Sequence, residues 1–458
     1  MNLKSEPPQE AASLSASLHD VLIDLHRHPY PHVPNPPSCK KRASVALVLR
    51  VRPTYGHWPP LNSARPLHDP SIPVNERLNA FFSETWVQNG DPEVLFIKRA
   101  SRKGDRWTGH VALPGGKRDA EDVDDKQVAI RETSEEVGLD LTTDDYIHIG
   151  NLPERVVTTG WTSKPIMVLC PYIFLTTRSD SPALRLQPTE VASTHWVPIR
   201  ALLSPSLRTV ENVDISQRYS NMGLLIPRLF YRCLLGTMEF SAIRLRPTES
   251  LQSNPTPGPI PDDTHAPPLS LSQRWKTWLF RGQTGPCKQE PPLLLWGLTL
   301  GILADFLDML PPHTAVQLWK YPTFTVPDLR LIVNIVTYHL KKRNQMQMQA
   351  GGRPSITAVD SQAAALPVSE TTDGHNEVGI GGLGVSRYCE PSHKDPDGSK
   401  HAVGIMLNGY YARLRLAMQV FLAWRVAMGS VAAIYAWRLL RRRRGILSDN
   451  EDPVVEFG

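Results

Sequence analysis

The chain reads as an α/β protein, a mixed sheet flanked by helices and interrupted by polar stretches. Apolar, β-branched runs alternate with segments of helical period, the order expected of such a sheet. A glycine-rich turn at 113–139, LPGGKRDAEDVDDKQVAIRETSEEVGL, runs into one sharply delimited helix. The 42 prolines are concentrated in polar segments that cannot bury enough apolar area to fold alone, so the 458 residues are not one continuous core.

Residues 1–42 form an N-terminal extension in which Leu14, Leu18, Val21, Leu22 and Leu25 recur at helical spacing, predicting a short docking helix. It ends in HRHPYPHVPNPP, where the proline-broken spacing of His26, His28 and His32 reads as solvated histidines rather than a metal site. Strands are predicted at 43–51 (ASVALVLRV), 93–99 and 110–113, just ahead of the glycines. Between Gln127 and Val137, Ala129, Ile130, Thr133 and Val137 fall on one helical face and Glu132, Glu135 and Glu136 on the other. Asp122, Asp124 and Asp125 place negative charge at the helix start, and Gly138 is suited to a left-handed cap. Further strands are predicted at 147–152, 165–174 and 195–198.

Residues 247–292, rich in Pro, Ser and Thr, read as a disordered insertion. LLLWGLTLGILADFLDMLPP (293–312) reads as one buried helix, because Asp305 and Asp308 shorten its charge-free part below the length of a membrane span. A helical extension is predicted within 313–340 and a second disordered linker at 341–402. Residues 403–458 carry an apolar helix and a basic tail. Within them, 416–437 is long enough to cross a bilayer, but Arg425 stands at its middle. Burial against 313–340 and insertion into a membrane both remain open.

Three neighbouring carboxylates repel one another unless a cation sits on them, and hard divalent cations, magnesium or manganese, prefer oxygen ligands. Gly115 and Gly116 allow the backbone to turn tightly beside a phosphate, and Arg131 reaches Glu135 one helical turn on. The run G-G-K-R-D followed by R-E-T-S-E-E-V-G-L resembles the Nudix box, G-x5-E-x7-R-E-U-x-E-E-x-G-U with U apolar. Fourteen residues separate Gly116 from Arg131, one more than in that pattern, and Asp122 or Asp124 stands where its first glutamate would be. LFIKRASRKGDRWTGHVALPGG also resembles the upstream signature of the coenzyme A diphosphatase branch. Leu95, Arg99, Gly109, Pro114, Gly115 and Gly116 match; Ile97, Ala100 and Leu113 differ, and Arg106 is out of step.

The resemblance covers roughly residues 43–312. It implies a Nudix-type α/β/α sandwich and metal-dependent hydrolysis of a nucleoside diphosphate derivative, coenzyme A and its esters among the options. Glu132, Glu135 and Glu136 would hold Mg2+ or Mn2+. Glu135, oriented by Arg131, would act as base, with Glu190 as the alternative. Arg99, Arg106, Gly115 and Gly116 would bind substrate, as would Lys117 and Arg118. A non-catalytic binding or membrane-tethered scaffold of the same fold is the rival.

Composition narrows the rest. Net charge +5 arises from 50 basic and 45 acidic residues, with the excess in local runs such as 438–444, so no nucleic-acid-binding face is expected. Five cysteines (Cys39, Cys170, Cys233, Cys287, Cys389) without a C-x2-C pair read as free thiols in a reducing compartment. The first thirty residues have neither a signal-peptide core nor the acid-poor character of a transit peptide, which predicts a cytoplasmic, intracellular protein. Oligomeric state is not legible.

Overall fold

The structure, a computed structural model, describes residues 9–59, 72–102, 107–158, 164–180, 182–214, 232, 234–245, 293–351, 402–407 and 409–448. An eight-stranded mixed sheet forms the centre. Its path runs β3 (Val111–Ala112), β2 (Asp91–Arg99), β1 (Arg42–Arg52), β7 (Pro165–Thr176), β5 (Tyr146–Asn151). β4 (Gly115–Lys117) pairs with β1, β6 (Arg155–Thr158) with β7, and β8 (Val191–Pro198) with β2. β1 and β7 are parallel, with Ala46 opposite Tyr172, while β1 and β2 are antiparallel, with Leu49 opposite Val94.

Side chains alternate across a strand, so β1 serves two cores. Leu47, Leu49 and Val51 face one layer with Val94 and Phe96 of β2; Ala46 and Val48 face the other with Leu95 and Ile97. The second layer is closed by α4 (Asp125–Val137), whose Ala129 and Val137 are fully buried. Gly138 caps α4 in the left-handed region (φ 74°) and Asp124 caps its start by accepting the Gln127 amide at 2.7 Å. The first layer takes α1 (Gln9–Arg27), with Leu18 and Leu22 fully buried, together with α2 (Val74–Ser83) and α3 (Thr85–Gln88), neither predicted from sequence. The N-terminal extension is thus part of the domain core.

α5 (Ile199–Leu203) leads into a second, four-stranded sheet, also unpredicted, of β9 (Arg208–Val213), β10 (Met238–Leu245), β11 (Leu293–Trp296) and β12 (Thr323–Phe324). Its Phe240 and Ile243 join the first core. The segment 293–312, expected as one helix, divides at Gly297 (φ 70°). Residues 293–296 pair with β10, and the helix α6 is Gly297–Asp308, buried nearly all round as its apolar sequence requires.

α7 (Pro327–Gly351) runs past residue 340, so 341–351 is helix rather than linker. The insertion at 247–292 and residues 352–401 of the expected linker lie outside the described residues. Beyond them α8 (Ala402–Leu407) returns to the core, where the Val403 amide meets Asp305 of α6 and the Met406 carbonyl accepts from Asn344 of α7. Asp305 also forms a fully buried ion pair with Arg155 of β6. α9 (Tyr410–Ser448) packs on α7 through Leu414, Ala417, Met418 and Phe421, ending at an ion pair of Arg425 with Asp328 at 2.8 Å. From 422 to 441 every residue is exposed.

Candidate active site

The glycines and α4 are locked together. Gly115 has φ 151°, and a Cβ there would lie 2.3 Å from the Ser44 carbonyl oxygen. A Cβ on Gly116 would lie 2.3 Å from the Glu132 carboxyl carbon. Only glycine at 115 lets β4 lie against the β1 backbone, and at 116 it leaves room for the Glu132 carboxylate. In return the Gly115 amide donates to Glu136 Oε2 at 2.9 Å, which fixes the most buried carboxylate of the site, 2% exposed.

Arg131 anchors the other side. Its guanidinium bonds Asp122 through Nε and Nη2, each at 3.0 Å, and donates to the Lys117 carbonyl at 3.1 Å. It also meets Glu132 at 3.1 Å and Glu135 at 3.0 Å. Of Asp122 and Asp124, Asp122 is the one that meets Arg131, and that bond holds its carboxyl below the usual range. Asp124 is the helix cap instead.

Oxygens of Glu132, Glu136 and Glu190 lie within 4.8 Å of one another. Glu190, at the start of β8, is held by Arg102 at 2.7 Å and sits across from the helix, so its membership depends on the β2–β8 pairing. Glu135 is outside this cluster; its side chain is 51% exposed and turned to Arg131, so the three helix glutamates are not one patch. At 100° per residue, 132 and 136 share a face and 135 lies a step aside. Burial pushes Glu136 up to about 8 and raises Glu132, and the neighbouring carboxylates push both in the same direction. Arg99 Nη1 is 4.0 Å from Glu136. That donor set, three converging carboxylates with oxygen-only ligand atoms, fits a hard divalent cation.

Of the other predicted residues, Arg118 is committed to Asp125 at 3.2 Å and to the Asp122 and Val123 carbonyls, which makes it a loop brace rather than a substrate arginine. Lys117 contributes its carbonyl to Arg131. Arg106 lies outside the described residues. The histidines are not simply solvated: His26 Nδ1 meets the Ile149 carbonyl at 2.9 Å, and His32 Nδ1 meets buried Glu154 at 2.6 Å. Glu154 in turn binds Arg42, which also binds Asp125 at 2.6 Å, so His32 tops a brace behind the start of α4. Sequence spacing could not disclose this brace, whose members come from four separate segments. Cys39 and Cys170 are buried and not paired with each other, and Cys233, Cys287 and Cys389 lie outside the described residues.

A glycine turn set on a glutamate helix, with an arginine anchored by an upstream carboxylate, is the arrangement expected of a Nudix box. The NUDIX domain family model matches residues 85–218. An uncharacterized protein of Schizosaccharomyces pombe is 31% identical over 312 residues, which cover 68% of this chain and 78% of that one. The chain belongs to the Nudix hydrolase family. Within it, similarity reaches the peroxisomal coenzyme A diphosphatase of Caenorhabditis elegans, 34% identical over 27% of this chain and 48% of that protein. It also reaches the mitochondrial coenzyme A diphosphatase of Mus musculus, 46% identical over 11% and 25%. The chain thus spans half or less of the two diphosphatases. Their names place them in peroxisomes and mitochondria, which differs from the cytoplasmic expectation read from composition.

Proposed function

We propose that this Nudix protein is a divalent-cation-dependent diphosphatase that cleaves the diphosphate linkage of a nucleoside diphosphate derivative, with coenzyme A and its esters as the leading substrate class. The observation that carries this is the close set of Glu132, Glu136 and Glu190 beside the Gly115–Gly116 turn. Mg2+ or Mn2+ held by these carboxylates would offset diphosphate charge and make water acidic enough to attack phosphorus. The chain's own groups do the positioning. Gly115 fixes Glu136, Arg102 fixes Glu190, and Arg131, itself clamped by Asp122, orients Glu135 at the rim, where it takes the proton of the attacking water. Arg99, at the buried edge of the cluster, is placed to meet a phosphate oxygen. The full chain incubated with coenzyme A, acyl-coenzyme A, NADH, ADP-ribose and dinucleoside polyphosphates, each with either cation, should release two phosphate-terminated products from its substrate, identified by mass. No turnover of any of them would leave the non-catalytic module as the correct reading.

We infer further that the far half of α9 lies in a lipid bilayer. Leu422, Trp424, Val426, Met428, Val431 and Ile434 are exposed on all sides of the helix. A partner protein covers one stripe, whereas lipid covers a whole circumference. Residues 422–440 extend about 28 Å at 1.5 Å per residue, close to a hydrocarbon core. Arg425, the obstacle to a span centred on 416–437, is neutralised at the domain end by Asp328, and Trp437 with the arginines 441–444 stands at the opposite end. Full-length protein should float with phospholipid vesicles after carbonate treatment, and Val431→Glu with Ile434→Glu should abolish flotation. Equal flotation of both proteins, or of neither, rejects the placement.

A further inference from the structure

On the second sheet, away from the glutamates, a cavity of about 250 Å³ opens between β10, β12 and α7. Lys320, Arg330 and Lys341 line it, with Glu239 as the one carboxylate among the lining residues. Arg330 stands 3.8 Å from Glu239. Lys341 forms no ion pair among the described residues. Its ammonium lies 5.2 Å from the centre of the Tyr321 ring and 5.6 Å from that of Tyr410, and its polar contact is Asn334 Oδ1 at 3.3 Å. Burial first, and Arg330 second, push the Lys341 pKa down.

A smaller cavity of about 40 Å³ adjoins, sharing Trp319 and Lys320. It is lined by Arg208, whose Nε and Nη1 are buried without a hydrogen-bond partner and whose burial pushes its pKa down to about 10. Trp319 Nε1, Tyr321 Oη and Thr323 Oγ1, on residues bordering the larger cavity, are likewise buried and unpartnered. Native proteins leave few such groups, and five of these atoms are on residues that border the two neighbouring cavities. A desolvated cation without a carboxylate costs stability unless an anion is supplied from outside.

We propose that these adjoining cavities form a binding site for a small phosphate-bearing anion, with Lys341 and Arg330 as its charged contacts and the tyrosine rings as its wall. Three cations, Lys320, Arg330 and Lys341, face one carboxylate, Glu239, and that surplus of positive charge in a shared space suits a compact, multiply charged oxyanion, while the tyrosine faces and Asn334 hold Lys341 in place. The site shares no residue with the glutamate cluster and stands whether or not the diphosphatase reading holds.

Calorimetric titration of the full chain with inorganic phosphate in EDTA tests the proposal, because without a divalent cation the glutamate cluster repels the probe. Saturable binding is expected in the wild type. Lys341→Met, which keeps the length and apolar stem of the side chain, should weaken it at least tenfold, and Lys341→Arg should retain most of it. Without phosphate, the thermal midpoint of Lys341→Met should be no lower than that of the wild type, since a desolvated charge is removed, and cation-dependent hydrolysis should match the wild type in every variant. Should Lys341→Met unfold, Arg330→Gln on the exposed side of α7 provides the same comparison. Absence of saturable phosphate binding in the wild type, or binding unchanged in both Lys341→Met and Arg330→Gln, overturns the site.

Discussion

Gly116 and Glu132 lie so close that a methyl group on Gly116 would push the Glu132 carboxylate off its place in the cluster. Gly116→Ala should therefore remove activity while the sheet persists, read as lost turnover with an unchanged far-ultraviolet spectrum. Glu132→Gln removes a charge whose effect falls mostly on the transition state, so kcat should drop by hundreds-fold or more, about 3–4 kcal/mol, with the thermal midpoint preserved. Turnover near the wild-type level in that variant would sink the diphosphatase reading. Asp122 is 4% exposed at its side chain and bonded to Arg131, through which it acts as a positioning residue. Asp122→Asn should cost about 10–100-fold in kcat, as outer-shell partners of functional groups do. Asp122→Glu should recover part of the loss, which a merely structural role would not predict.

The elements that close the domain come from its two ends. α1 buries Leu18 and Leu22 completely against the face of the sheet opposite α4, so Leu18→Ala should destabilise by about 2–5 kcal/mol in urea without touching the glutamates. α8 gives Asp305 one of its two partners and receives Asn344, and the first turns of α9 bury Tyr410, Leu414 and Phe421. A chain ending at residue 401 leaves the Arg155–Asp305 pair at an uncovered helix and should melt lower than the full chain, whereas one ending after residue 425 should keep the full midpoint. Equal midpoints for all three chains would contradict this view of α8 and α9. These long-range closures were invisible in the sequence because the leucine spacing of α1 announces a buried face without its partner, and nothing local to α8 shows that it packs on α6.

At the scale of the whole molecule, two strand histidines tie stability to pH. His148, packed on Tyr172 and Phe174, and His195, hydrogen-bonded to Ser193, are pushed by burial down to about 4. Between about pH 6.5 and about 4 the unfolded chain binds protons that the folded chain refuses, so stability falls as pH falls through that window. Replacing one histidine isolates the effect: the stability difference between wild type and His148→Gln should shift by about 2–3 kcal/mol against the wild type from about pH 7 to about pH 4.5. Parallel curves would exclude it. The central strands, α4 with its Gly138 cap and acidic start, the glycine turn and the family were all legible from residues near one another in sequence, because hydrophobic period, cap chemistry and box spacing are local properties. The split of 293–312 at Gly297, the second sheet, and the gathering of Glu190 rather than Glu135 with Glu132 and Glu136 depend on strand partners far along the chain. By itself the sequence determined that a glutamate helix sits behind a glycine turn in a Nudix domain. Tertiary structure decided which carboxylates converge, because a helix fixes only the angle between its own side chains, and pairing of β8 with β2 brings the third from across the sheet.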